Sequence, residues 1–175
     1  MSKTTELALK AVNQMDRAAF VQALGHTFEH SPWIAERAWD ARPFESIAEL
    51  HQAMAKVVKS APRDKQLALL NAHPDLAGKE AQTGTMTDDS VVEQKSAGLN
   101  ALTKEEMARI TRLNSEYKAK HGFPFIACVR HYSKEGIFYE FERRVGNDSE
   151  TELRTDLEQI FAITKLRLNA LFGTN

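Results

Sequence analysis

The tightest restriction on this chain is a punctuation repeated along it: a Ser, Thr or Asp heads an apolar stripe whose members recur three or four residues apart. That spacing puts residues on one face of a helix, and a helix start needs side-chain acceptors for its loose N–H groups. Asp16 precedes Phe20, Leu24 and Phe28, while Ser46 and Glu49 form a capping box at the head of Ile47, Leu50, Met54, Val57 and Val58. Thr103 and Glu106 repeat the box for Met107, Ile110, Leu113 and Tyr117, a helix that Gly122 ends. Ser149 and Glu152 open the longest stripe, Leu153, Leu157, Ile160, Phe161, Thr164, Leu168 and Leu171. Shorter helices are expected after Ser31-Pro32, with Ile34, Ala38 and Trp39 inward, from about Pro62 to Asn71, and from Thr87 or Ser90 to about Leu102. Residues 73–89 lack a continuous apolar stripe and read as a loop with at most one helical turn, whereas Phe123 to Val129 is strand-like without a sister strand. The expected fold is all-α: a single-domain helical bundle over residues 1–175, with one short extended segment near residues 123–129.

Composition narrows the function. With 23 Lys and Arg against 24 Asp and Glu, the formal charge is −1, so there is no basic footprint for nucleic acid and no polybasic membrane signal. A chain 42% hydrophobic and 27% charged is globular in composition and offers no bilayer span. The single cysteine, Cys128, excludes an internal disulfide and any multi-cysteine metal centre. Met1 to Lys10 holds no unbroken apolar stretch and Gly173-Thr174-Asn175 is no peroxisomal address, so a cytoplasmic location is expected.

Several constellations could carry chemistry. His26-Thr27-Phe28-Glu29-His30 fits H-x-x-E-H, which on a helix would set two imidazoles on one face to hold a metal. Ser31-Pro32 follows at once and no third ligand is evident, so the plainer reading has His30 packing or hydrogen-bonding at a helix junction, with no metal. In the stretch from Asn71 to Lys79, Pro74 pushes His73 out of the α region as a helix ends. An imidazole held there suits proton transfer near neutral pH; a solvated helix-ending turn is the rival reading. On the next helix, at about 100° per residue, Val92, Ser96 and Leu99 form the expected core face. Ser90, Glu93, Gln94 and Ala97 gather opposite, as a polar substrate face or an ordinary outer face with a Ser90–Glu93 capping box. Arg167 falls in the apolar sector of the last helix beside Ile160 and Thr164. A guanidinium is costly to bury without an acceptor, so it either snorkels to the helix end or meets an anion, for which its fork suits a carboxylate. Finally, the peptide groups of Phe125 to Val129 have no ladder to satisfy them. A ligand rich in amide edges, such as a ureide or hydantoin, would pair with them, as would water or side chains.

Taken together, the strings FEHSPWIAERAWDARPF, AHPDLAGK, the S-x-x-E-Q-x-x-A-G-L run from Ser90 to Leu99, GFPFIACVR and KLRL resemble the 2-oxo-4-hydroxy-4-carboxy-5-ureidoimidazoline (OHCU) decarboxylase family, in family order. The resemblance implies an all-helical, generally dimeric enzyme that decarboxylates OHCU, a late product of urate oxidation, to (S)-allantoin without a cofactor. It implies His73 as the catalytic histidine, Glu93 as its acidic partner and Arg167 as the family's arginine. Pro74, Ser90, Val91, Val92, Glu93 and Gln94 match its substrate-binding positions. Phe125, Ile126, Ala127, Cys128 and Val129 do so through the main chain. The FEHSPW match also accounts for His30 without a metal. Two readings of other kinds stand beside it: a metal-dependent hydrolase using His26, Glu29 and His30, and a helical module that docks a partner through its extended segment.

Overall fold

The structure, a computed structural model, describes residues 7–174. The leader and address readings rest in part on residues 1–6 and 175, outside the described residues. The fold is all-α, as expected, with no strand among the described residues. Its helices are α1 (Leu9–Gln14), α2 (Arg17–Leu24), α3 (Trp33–Ala38), α4 (Ile47–Lys59), α5 (Arg63–Ala72), α6 (Lys79–Thr83), α7 (Asp88–Ser96), α8 (Lys104–His121), α9 (Lys134–Val145) and α10 (Ser149–Leu171). The described residues form two compact units, 7–69 with 161–174, and 70–160. No helix among the described residues is long and apolar enough to cross a membrane.

In the first unit α3 packs against α2 and α4, and Phe20, Leu24, Ile34, Leu50, Met54 and Val58 are buried. Asp16 caps α2 by accepting the Ala19 N–H at 2.8 Å, as its position predicts. Ser46 likewise accepts the Glu49 N–H at 3.1 Å, but the Glu49 carboxylate takes the N–H of Glu45 instead of closing the box. α2 stops at Leu24, so Phe28 reaches the core from a turn. Ser31 is not a cap: its hydroxyl donates to the Glu29 carbonyl at 2.8 Å, and α3 begins only at Trp33.

The second unit is built around α8, whose Thr103–Glu106 capping box is complete and whose end is Gly122 at φ 80°. Its Tyr117 ring meets Phe123, Phe125 and Phe141 edge-on at 6.1, 5.6 and 6.0 Å, an arrangement suited to ring quadrupoles. α9, for which no helix was expected, turns Ile137, Phe138, Phe141 and Arg144 inward at helical spacing. α7 ends at Ser96, short of the expected Leu102. Gly98 at φ 76° lets Leu99 N–H reach back to Gln94 C=O at 3.0 Å, closing the helix in a Schellman-type turn. Asp148, not Ser149, heads α10 by accepting the Thr151 N–H at 2.9 Å. Ser149 Oγ instead lies 2.7 Å from His121 Nδ1.

Glu152 is thereby released from capping into a buried ionic cluster. Arg144 donates from Nε to Glu152 at 2.8 Å, from Nη2 to Asp156 at 2.7 Å and from Nη1 to the Ile126 carbonyl at 2.8 Å. The Tyr117 hydroxyl donates to Glu152 at 2.7 Å. One cation faces two carboxylates, both fully buried. Burial pushes the Asp156 carboxyl well above the usual range against the pull of Arg144, and the Glu152 charge adds to the rise. Asp156 therefore keeps its proton into a pH range where a free aspartate has lost it, and its contribution to stability fades as pH rises through that window. Cutting this hub should be severe. Arg144→Leu strands a buried carboxylate without its cation and should lose about 3–5 kcal/mol of urea-unfolding stability; a loss under about 1 kcal/mol, the scale of a surface pair, would contradict this account.

Candidate active site

His73 stands just past the end of α5. Its N–H still reaches the Leu70 carbonyl at 3.1 Å, and Pro74 then denies the helix another donor. The side chain is only 8% exposed and its Nε2 atom is shut off from solvent, which removes the reading of a solvated turn. The chain beyond it is pinned from several sides. Ala77 adopts a left-handed φ of 48°, a conformation that an alanine enters only at a cost of about 1 kcal/mol. Its N–H donates to Gln94 Oε1 at 2.9 Å, and Gln94 Nε2 donates to the Asp75 carbonyl at 3.3 Å. Asn114 holds the Leu76 carbonyl at 3.0 Å, and Lys118 pairs with the Asp75 carboxylate at 3.1 Å. At Gly78 the bend is so close that a Cβ would lie 2.5 Å from that of Asp75.

α7 presents the opposite face to the one expected. Ser90 and Gln94 are buried at 4% and 6% exposure, while Val91 and Val92 are 42% and 54% exposed and Ser96 faces solvent. Of the expected core residues only Leu99, beyond the helix end, is buried. The Gln94 carboxamide explains the rotation, because its inward bonds to the 75–77 main chain outweigh the burial of two valines. Of the two caps expected for α7, Thr87 serves, accepting the Ser90 N–H at 3.3 Å.

Glu93, half-buried on the same helix, approaches Cys128 closely enough that its charge joins burial in raising that thiol's pKa. α7 packs on the 3-10 turn Val129–His131, directly after the extended segment. The unit of residues 70–160 thus joins the His-Pro turn to α7 through Gln94, and α7 to the end of the 125–129 segment.

That segment is buried throughout, and its peptide groups divide into two edges, since residues i and i+2 of an extended chain point the same way. Ile126 gives its N–H to Asp156 at 3.1 Å and takes Arg144 on its carbonyl; Cys128 gives its N–H to Gln159 at 2.9 Å and its carbonyl accepts His131 N–H at 2.9 Å. Side chains and the His131 main-chain N–H therefore satisfy one edge. On the other, neither the N–H nor the C=O of Ala127 makes a hydrogen bond among the described residues, although the residue is 5% exposed.

Arg167 lies in the unit of residues 7–69 and 161–174. It does not snorkel: at 7% exposure its Nη1 donates to Glu29 Oε2 at 2.9 Å and to the Thr27 carbonyl at 3.3 Å. Glu29, 2% exposed, is thus committed to an ion pair. His26 and His30 are exposed on the turn after α2, with His30 at φ 47°, so neither the helical metal face nor the packed junction histidine is formed. Among the described residues no cluster of His, Cys, Asp and Glu is placed to hold a metal ion. Arg144, Asp156 and Gln159 were not singled out from the sequence. Their signal was there, because Glu152, Asp156 and Gln159 interrupt the α10 stripe at i, i+4 and i+7, where solvent-facing polar residues would not fall.

Residues 13–169 match the sequence profile of the OHCU decarboxylases. The chain is 44% identical over 169 residues to the OHCU decarboxylase of Haloferax volcanii, covering 97% of this chain and 98% of that one. It is 37% identical over 164 residues to the OHCU decarboxylase of Mus musculus, covering 94% and 92%. A crystal structure of (S)-allantoin synthase superposes with a TM-score of 0.77 at 30% identity, covering 94% of this chain, which spans 54% of that polypeptide. The chain belongs to the OHCU decarboxylase family.

The close bend at Gly78 is open to a direct test. Gly78→Ala should force the 75–78 turn apart and lower stability by about 1–3 kcal/mol, read by thermal unfolding, whereas an unchanged midpoint would mean that the turn has room to spare.

Proposed function

We propose that this chain is a cofactor-free carboxy-lyase that converts OHCU to (S)-allantoin in urate breakdown, acting as a cytoplasmic homodimer on a small ureide. The observation that carries the reading is that one unit joins three segments of the family's signature: the His-Pro turn, the inward polar face of α7, and an extended strip with an unpaired peptide edge at Ala127. Near-full-length likeness to the archaeal and mouse decarboxylases supports the same conclusion.

The residue types suit the step. When CO2 leaves, the bonding electron pair stays behind and has to be delocalised before a proton is delivered to one face of the carbon. With no thiamine or pyridoxal in the scheme, the substrate's own ring and amide system takes the pair, and the protein aims hydrogen bonds at the charge as it develops. His73 handles the proton, removing it from the hydroxyl or returning it to carbon, while Glu93 orients the imidazole or holds the ring. Pro74 sets the direction of His73. Ser90, Val91, Val92 and Gln94 border the substrate, with Gln94 also holding the turn that carries the histidine. The main chain of Phe125, Ile126, Ala127, Cys128 and Val129 receives the ureido and ring amides.

Generating the substrate enzymatically from urate and following optical activity tests the proposal. Adding the protein should bring rapid formation of the S enantiomer, and His73→Ala should abolish this with helical circular dichroism intact. Slow racemic allantoin with the wild-type protein would overturn the function, and near-normal kcat in the variant would remove His73 from the chemistry.

A further inference from the structure

We infer that Gln159, together with Arg144 and Asp156, is a positioning residue whose hold on the main chain turns the peptide edge of Ala127 toward the ureide. This rests on the function proposed above and adds residues that neither the family resemblance nor the sequence reading assigned.

Two repeats of different length meet at this strip. Along an extended chain, peptide groups on the same edge lie about 6.6 Å apart, two residues at some 3.3 Å each. Along a helix, residues three apart rise only about 4.5 Å. Asp156 and Gln159 are three apart on α10, and they accept from the N–H groups of Ile126 and Cys128, which are two apart on the segment. The mismatch of about 2 Å is covered by side-chain length, since glutamine reaches one methylene further than aspartate. Arg144 locks the same edge by taking the Ile126 carbonyl at 2.8 Å and lying 4.3 Å over the Phe125 ring. With Ile126 and Cys128 both tied, Ala127 between them has its donor and acceptor on the opposite edge. That pair is complementary to an amide edge carrying one N–H and one C=O, the pattern a ureido group or hydantoin ring presents. Releasing Cys128 lets the strip roll and blurs this pair, while leaving His73 and Glu93 in place.

Gln159→Met tests the inference, because it keeps side-chain length and removes the amide acceptor; Gln159→Ala serves should the methionine variant not fold. The contacts at Ala127 are made to ground state and transition state alike, so KM should rise about tenfold with kcat within about twofold, while the melting temperature falls by no more than the few degrees that one unpaired N–H costs. Gln159→Glu restores an acceptor at the same reach and should return KM to near the wild-type value. Unchanged KM in the methionine and alanine variants would overturn the positioning role. So would a parallel loss of kcat and melting temperature that glutamate does not rescue. Absence of ureide turnover by the wild-type protein would overturn the functional reading first, and the positioning role with it.

Discussion

The guanidinium of Arg144 is the contact on which the residue 70–160 unit depends. It is buried against the carboxylates of α10, yet one of its N–H groups is spent on the Ile126 carbonyl, so it joins α9, α10 and the extended strip at a single point. A buried ion pair is a weak source of net stability, because desolvation consumes much of the attraction. Its value here is directional. Hydrogen bonds to a fixed planar fork decide which way each peptide group of the strip faces, and an all-apolar core would leave that undecided.

The same logic explains two local costs. α7 leaves Val91 and Val92 in solvent while it buries a serine and a glutamine, and Ala77 sits in a left-handed conformation that a glycine would occupy more easily. Neither arrangement helps a chain that only needs to fold. Both follow once Gln94 has to hold the turn carrying His73, because its carboxamide can reach that main chain only from the inward side. Local departures from the rules of helix burial and backbone preference thus gather around the residues assigned to chemistry, where such costs are expected to be tolerated.

Much of the architecture was legible in the caps. Asp16, Thr103 and Gly122 stand where their chemistry places them, and the stripes of α4, α8 and α10 turn inward, most of their members buried and Ile47, Val57, Met107, Phe161 and Leu171 half-buried. The failures have physical causes. Helical spacing predicts which residues share a face but not which face wins, and in α7 hydrogen bonding to a distant turn outweighed two valines. Ser31 and Ser149 look like caps, yet the first hydroxyl bonds a carbonyl and Asp148 took the helix start from the second. α9 shows in the sequence only as Ile137, Phe138 and Phe141 at helical spacing. Charged residues inside apolar stripes were the hardest to read. Arg167 is anomalous in the sequence, but its partner Glu29 lies 138 positions away, a pairing that only the folded chain reveals.

The central claim is that the His73 turn, Glu93 and the Ala127 edge line one ureide site. Titrating the 15N-labelled protein with (S)-allantoin and following the Ala127 amide together with the His73 ring by NMR tests it most directly. The account predicts that both signals move along one binding curve, with Ala127 among the largest amide shifts. Saturable binding that leaves Ala127 and His73 unmoved would contradict it.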